Sequence, residues 1–115
     1  MKTTPVRELP KIPQDALLVD FDGRKMKTLS TFYRRIAVEL EFPEYFGNNL
    51  DALWDCITAL PGFKSEQIYL VVRHLPSFLA SEPREKKEAV LDILQNACKP
   101  SNRYDKIRFH FFATP

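Results

Sequence analysis

EFPEYFGNNLDALWDCIT, residues 41–58, joins a loop that cannot be helical to a helix that carries its own cap. Pro43 pushes Phe42 out of helical dihedrals, so the chain from Glu41 to Asn49 reads as a loop containing Tyr45, Phe46 and Gly47. Asn48 or Asn49 can accept from the free N–H groups of a helix that follows, and Pro61 with Gly62 ends it. On a helical wheel Leu50, Leu53, Ile57 and Leu60 form one stripe, with Trp54 at its border. Asp51, Asp55 and Thr58, at i, i+4 and i+7, form the adjoining stripe. A buried seam thus runs beside an acidic ridge.

Local physics disfavours that ridge. Two aspartates one turn apart repel by a few tenths of a kcal/mol, roughly, and no Lys or Arg stands three or four residues from either. Asp51 gains from the positive end of the helix dipole, whereas Asp55 gains nothing and is a poor helix former. The wider charge pattern is equally lopsided. Between Ile36 and Phe63 the charged residues are Glu39, Glu41, Glu44, Asp51 and Asp55, a local charge of −5, so the remainder carries +7 within a total of +2. Exposed acids usually just solvate a surface. Unpaired acids beside Trp54 and an aromatic loop point instead to a cationic partner.

Outward from this helix the elements follow in order. ALLVDF, residues 16–21, is a short apolar strand that ends at Asp22 and Gly23. Leu29, Phe32, Tyr33, Ile36, Ala37 and Leu40 recur at helical spacing, which predicts a first helix over 31–40 with Ser30 as its cap. QIYLVV, residues 67–72, is a strand, and Pro76 and Ser77 break the chain after it. Ser81 and Pro83 open a third helix with Val90, Leu91, Leu94, Ala97 and Cys98 on one face, closed by Lys99 and Pro100. Ile107, Phe109 and Phe111 alternate with Arg108 and His110 in a half-exposed last strand. Helical crossovers between strands favour parallel pairing. The order β-α-α-β-α-β therefore predicts an α/β fold: a small three-stranded parallel sheet with helices packed mainly on one face. Residues 1–14, with Pro5, Pro10 and Pro13, are expected to form an extended N-terminal tail or strap, leaving 15–115 as the domain.

The stretch 41–58 closely resembles the signature of the barstar family of intracellular ribonuclease inhibitors. The likeness runs without gaps from about Gly23 to Thr58 and continues more loosely around Leu70, Leu91 and Phe109. It implies a ribonuclease inhibitor of the immunity or antitoxin type, bacterial and cytoplasmic, whose acidic helix and preceding loop enter the basic active site of a ribonuclease or ribonuclease toxin domain. Asp55 would take the place of the substrate phosphate and pair with catalytic Arg and His groups. Asp51 would meet other basic groups near the cleft, and Tyr45 would pack on the catalytic His. Phe46, Gly47, Asn49, Trp54 and Thr58 would complete the contact. A carboxylate is a competent mimic of phosphate in a site built for it. A known family member has Gly and Trp where this chain has Ala59 and Leu60, which points to a related but different target.

Other classes fit less well. No apolar run approaches the roughly 20 residues that span a bilayer, and the first residues lack a signal peptide's apolar core. Cys56 and Cys98 have no short-spaced partner and are expected to be reduced thiols. His74 and His110 read as exposed single histidines, outside any nucleophile, P-loop or zinc motif. Residues 83–88, PREKKE, and the positives from Arg103 to Arg108 read as solvated faces. Direct nucleic-acid binding would want aromatics among the basic residues, but they stand in the acidic loop. The chain is therefore expected to be no enzyme, to need no cofactor or metal, to bind neither nucleic acid nor membrane, and to be a monomer when free. Two alternatives stay open: a module of the same fold for a basic non-nuclease partner, and a small metal-dependent hydrolase using Asp51 and Asp55 with acids such as Asp20, Asp22 or Glu44.

Overall fold

In the computed structural model, residues 3–60 and 63–115 are described. Three strands, β1 (Leu17–Asp22), β2 (Gln67–Arg73) and β3 (Arg108–Ala113), form one parallel sheet in the order β1-β2-β3. Three helices complete the frame: α1 (Leu29–Glu39), α2 (Leu50–Ile57) and α3 (Arg84–Asn96). The expected α/β class, strand number and parallel pairing are those observed.

β2 lies in the middle and is buried on both faces, as its unbroken apolar run requires. One face presents Val19 and Phe21 from β1, Ile68, Leu70 and Val72 from β2, and Phe109 from β3, all in the main core with the helices' apolar stripes. The register pairs them directly: Val19 opposite Leu70 and Ile68 opposite Phe109. The other face carries Tyr69, Val71, His110 and Phe112. Here His110 departs from expectation. It is half-buried, stacked on Tyr69 at 4.3 Å, and burial pushes its pKa down.

The helix ends show which local signals won. α1 begins two residues before the expected position, because Thr28 rather than Ser30 caps it through Thr31 N–H at 3.3 Å. Glu82 adds a long-range cap by accepting from Leu29 N–H at 2.8 Å. At the other end Glu41 adopts φ 53°, and the N–H groups of Glu41 and Phe42 donate to the carbonyls of Val38 and Ala37. That paired closure normally uses glycine. α1 thus ends before Pro43 acts. α3 spans Arg84–Asn96 and stops short of the expected Lys99 and Pro100, the latter opening a single 3-10 turn. Pro61 and Gly62, the expected end of α2, lie outside the described residues.

Residues 74–82 are more than a break. Leu79 N–H donates to Met26 O and Ser81 N–H to Lys27 O, which sinks Phe78 and Leu79 into the core. Phe78 meets Phe32 edge-on at 5.5 Å. Lys87 of α3, expected on a solvated face, instead donates to Leu75 O at 2.6 Å. The N-terminal segment returns from β1 to the opposite sheet edge, where Val6 N–H donates to Ala113 O at 2.8 Å. Gln95 of α3 reaches Thr3 at 3.2 Å, and Val6, Leu9 and Ile12 are half-buried at a spacing of three, the repeat of an extended proline-type helix.

Gly23, just after β1, marks a close backbone crossing. A Cβ there would lie 2.5 Å from Arg73 O and 2.6 Å from His74 O, backbone atoms that cannot swing aside. Gly23→Ala is expected to destabilise the fold by about 1–3 kcal/mol, the usual penalty for overpacking. Urea unfolding monitored by circular dichroism measures it, and an unchanged midpoint would refute this close approach.

Candidate functional site

The site is built on α2 and the loop before it. Asn49 is the cap: its Oδ1 accepts from Ala52 N–H at 2.8 Å, while its Nδ2 donates to Gly47 O at 3.1 Å. One side chain thereby ties the loop to the helix start, and Gly47 leaves the room, since a Cβ there would sit 3.0 Å from Asn49 Nδ2. Phe46 is half-buried and packs edge-on against Tyr33 at 5.8 Å and Phe42 at 5.0 Å. This aromatic cluster pins the loop to α1 and pushes the neighbouring Tyr45 outward, where it is 86% exposed.

Along α2, Leu53 and Ile57 are fully buried, Trp54 is half-buried, and Asp51 and Asp55 are exposed. No hydrogen bond or ion pair among the described residues engages either carboxylate. Lys86 of α3 lines the same shallow cleft as Asp51 without forming an ion pair with it. Thr58 is corrected by the structure. Thr58 is the C-cap and keeps near-helical dihedrals, φ −90° and ψ −7°, but the segment around Tyr104 packs against it and it has no exposed surface. Its hydroxyl donates to Trp54 O at 2.7 Å and its carbonyl accepts from Tyr104 N–H at 2.9 Å. It supports the helix from behind. Tyr45 and Asp55 line one groove and Asn49 and Asp51 another; Gly47 is exposed, Trp54 half-buried, and Phe46 anchors the loop.

Among the described residues, nothing around the two thiols activates them. Both are free and half-buried. Burial, with the nearby Asp55 charge, pushes Cys56 up. Burial raises Cys98 to about 11. Two of the acids considered alongside Asp51 and Asp55 for hydrolysis are engaged elsewhere: Asp20 accepts from Arg73 at 2.8 Å and Asp22 from Arg24 at 3.0 Å. No cluster of ligating side chains suited to a metal exists among the described residues. No helix among them is long and apolar enough to cross a membrane.

What sequence reasoning missed is the support beneath α2. Arg103 and Asp105 form an ion pair at 2.8 Å with side chains only 1% and 9% exposed. Arg103 also donates to Ile57 O at the end of α2, at 3.0 Å, and to Ala97 O beyond α3, at 2.9 Å. Asp105 accepts from the N–H groups of Leu60 and Ile107, each at 3.0 Å. Burial pushes the Asp105 carboxyl up, but the Arg103 hydrogen bonds and those two backbone donors outweigh it, leaving its pKa below the ordinary value. The only sequence signal was an Arg-x-Asp spacing inside a basic stretch.

The exposed carboxylates of α2 form a surface of the kind that complements a cationic partner. The family model described as Barstar (barnase inhibitor) matches residues 16–113. The chain is 34% identical, over 79 residues, to the Bacillus subtilis (strain 168) protein named "Putative ribonuclease inhibitor YrdF", an alignment covering 66% of this chain and 79% of that one. The chain belongs to the barstar family, and its role is that of a barnase-inhibitor-like protein, not an enzyme.

Removing either partner of the buried pair strands a charge, so Asp105→Asn is expected to cost about 3–5 kcal/mol at neutral pH. The depressed Asp105 pKa fixes the sign of the pH effect. Its contribution is present above the unfolded carboxylate value of about 3.9 and is lost as pH falls through the lower folded value. Denaturant unfolding of wild type and Asp105→Asn between pH 7 and pH 2 checks both. A difference that stayed constant to low pH would remove Asp105 from the account.

Proposed function

We propose that this chain is an intracellular, immunity-type inhibitor that blocks the basic active site of a ribonuclease, using α2 and the loop before it. The observation that carries this reading is the pair of exposed carboxylates, Asp51 and Asp55, held without internal partners on a capped helix beside the exposed Tyr45. A ribonuclease site concentrates Arg, Lys and His around the scissile phosphate. A carboxylate fixed in that place makes charge-assisted hydrogen bonds of the kind the phosphate makes. Asp55 is the anchor and Asp51 meets basic groups at the rim. Tyr45 packs on a catalytic imidazole, while Gly47, Asn49 and Trp54 complete the contact. The −5 segment also speeds encounter with a cationic cleft. The chain works in the cytoplasm as a monomer, without a cofactor, and has no need to bind nucleic acid itself.

The partner is a secreted ribonuclease or ribonuclease toxin domain of the barnase kind, met before it leaves the cell or after it enters. The −5 surface is self-repelling, which supports a free monomer.

Asp55→Ala is expected to weaken inhibition by at least about 2 kcal/mol, roughly thirtyfold, a scale for which the barnase–barstar pair is itself the reference example. Because Asp55 is exposed and unpaired, the fold should survive with an unchanged circular dichroism spectrum. Titration of wild type and variant into RNA-cleavage assays, across a panel of barnase-type ribonucleases, measures this. Equal inhibition by both proteins would move the interface off α2.

A further inference from the structure

Beside the proposed inhibitory surface lies a groove of about 480 Å³ between the end of α1 and the outer side of α2. Its walls are apolar, from Leu40, Pro43 and Phe63, and Tyr45 borders it. Two carboxylates line it, Glu41 and Asp55, and among the described residues no Lys, Arg or His does. Glu41 is exposed, and no hydrogen bond or ion pair among the described residues engages its side chain. Asp55 therefore belongs to two neighbouring surfaces, the ridge of α2 and this groove.

We propose that the groove is a second recognition pocket that takes one Arg or Lys side chain from the rim of the same ribonuclease, with Glu41 as the residue that sets specificity for it. The proposal rests on the inhibitor reading above. Charge complementarity selects the occupant. An apolar or anionic side chain entering the groove would strip water from two carboxylates and leave them unpaired. A long cationic side chain lays its aliphatic stem along the apolar walls and brings its head to both acids. Arginine fits best, because its planar guanidinium bonds carboxylates in a fork and stacks on rings such as Tyr45 and Phe63.

The backbone at Glu41 favours the same conclusion. Its φ of 53° is a conformation in which glycine is the cheap choice, and both closing hydrogen bonds of α1 hold it there. The chain keeps an acid where an uncharged glycine would fit better, and the closure fixes where that acid points. Glu41 is also the first residue of the loop that carries Tyr45, so its position is coupled to the surface it would assist.

The test uses the full chain and two separate readouts. In the first, butylguanidinium is titrated into the labelled protein and followed in proton–nitrogen correlation spectra, with neutral butylurea as control. Saturable shifts are expected at Glu41, Asp55, Cys56 and Ala59 with the cation alone, and they are expected to vanish in Glu41→Gln. Equal shifts with butylurea, or shifts centred elsewhere, would overturn the pocket without touching the inhibitor reading. The second readout is affinity for any ribonuclease that the chain inhibits. Glu41→Gln is expected to weaken it about tenfold, the scale of one lost charge-assisted contact. Glu41→Gly should weaken it equally while melting no lower than wild type. Glu44→Gln, an exposed acid outside the groove, should change it less than about twofold, the scale of a screened rim charge. Unchanged affinity in Glu41→Gln, or an equal loss in Glu44→Gln, overturns the proposal, whereas full inhibition by Asp55→Ala would instead move the inhibitory surface off α2.

Discussion

The buried ion pair of Arg103 and Asp105 is the constraint on which the presentation of α2 depends. Two carbonyls, those of Ile57 and Ala97, face the same guanidinium, which is also tied to Asp105 and lies over Phe109, 5.4 Å from the ring centroid. Helix C-termini carry partial negative charge and unsatisfied carbonyls. Where two such ends converge inside a core, a cation with several fixed donors satisfies both, and arginine has the geometry for it. Asp105 then neutralises the cation and accepts from the backbone on either side of it. An apolar core could match the stability of such a network. What the network adds is direction: it fixes where α2 ends relative to β3, and so which way the acidic ridge faces.

Elements with a period were legible in the sequence, and elements without one were not. β2 was readable because a central parallel strand is apolar on both faces. The seam of α2 was readable because Leu50, Leu53 and Ile57 follow the helical repeat, and so were the exposed acids that lie off that seam. Thr58 was misplaced because its burial comes from a segment distant in sequence, whose Tyr104 N–H donates to its carbonyl, and leaves no mark on the wheel. Phe78 and Leu79 were missed because they are buried by a non-repetitive turn held through Met26 and Lys27, which leaves no pattern along the chain. Arg103 resembled its basic neighbours, and only its distant acceptors distinguish it.

The candidate site divides into residues that face outward and residues that hold them there. Tyr45, Asp51 and Asp55 are exposed, whereas Phe46, Asn49 and Thr58 spend their hydrogen bonds or rings on the protein itself. Sequence reading grouped all of them as contacts because a motif records both roles at once. The structure separates them by what each side chain already touches. Fixing a loop before binding removes an ordering cost that the complex would otherwise bear.

That division also explains how an unfavourable charge arrangement is tolerated. Five acids between Ile36 and Phe63 repel one another in the free protein. Glu39 alone among them has an ion pair, with Arg35 at 3.6 Å on the same helix, and that pair is weak. Helix propensity could not hold Asp51 and Asp55 in register, since an isolated eight-residue helix is unstable in water. The register is imposed from outside: by the Asn49 cap at one end, by Leu53 and Ile57 in the core, and by Arg103 at the other end. The core and the caps therefore hold Asp51 and Asp55 in place against their repulsion, with no hydrogen bond or ion pair to either carboxylate among the described residues.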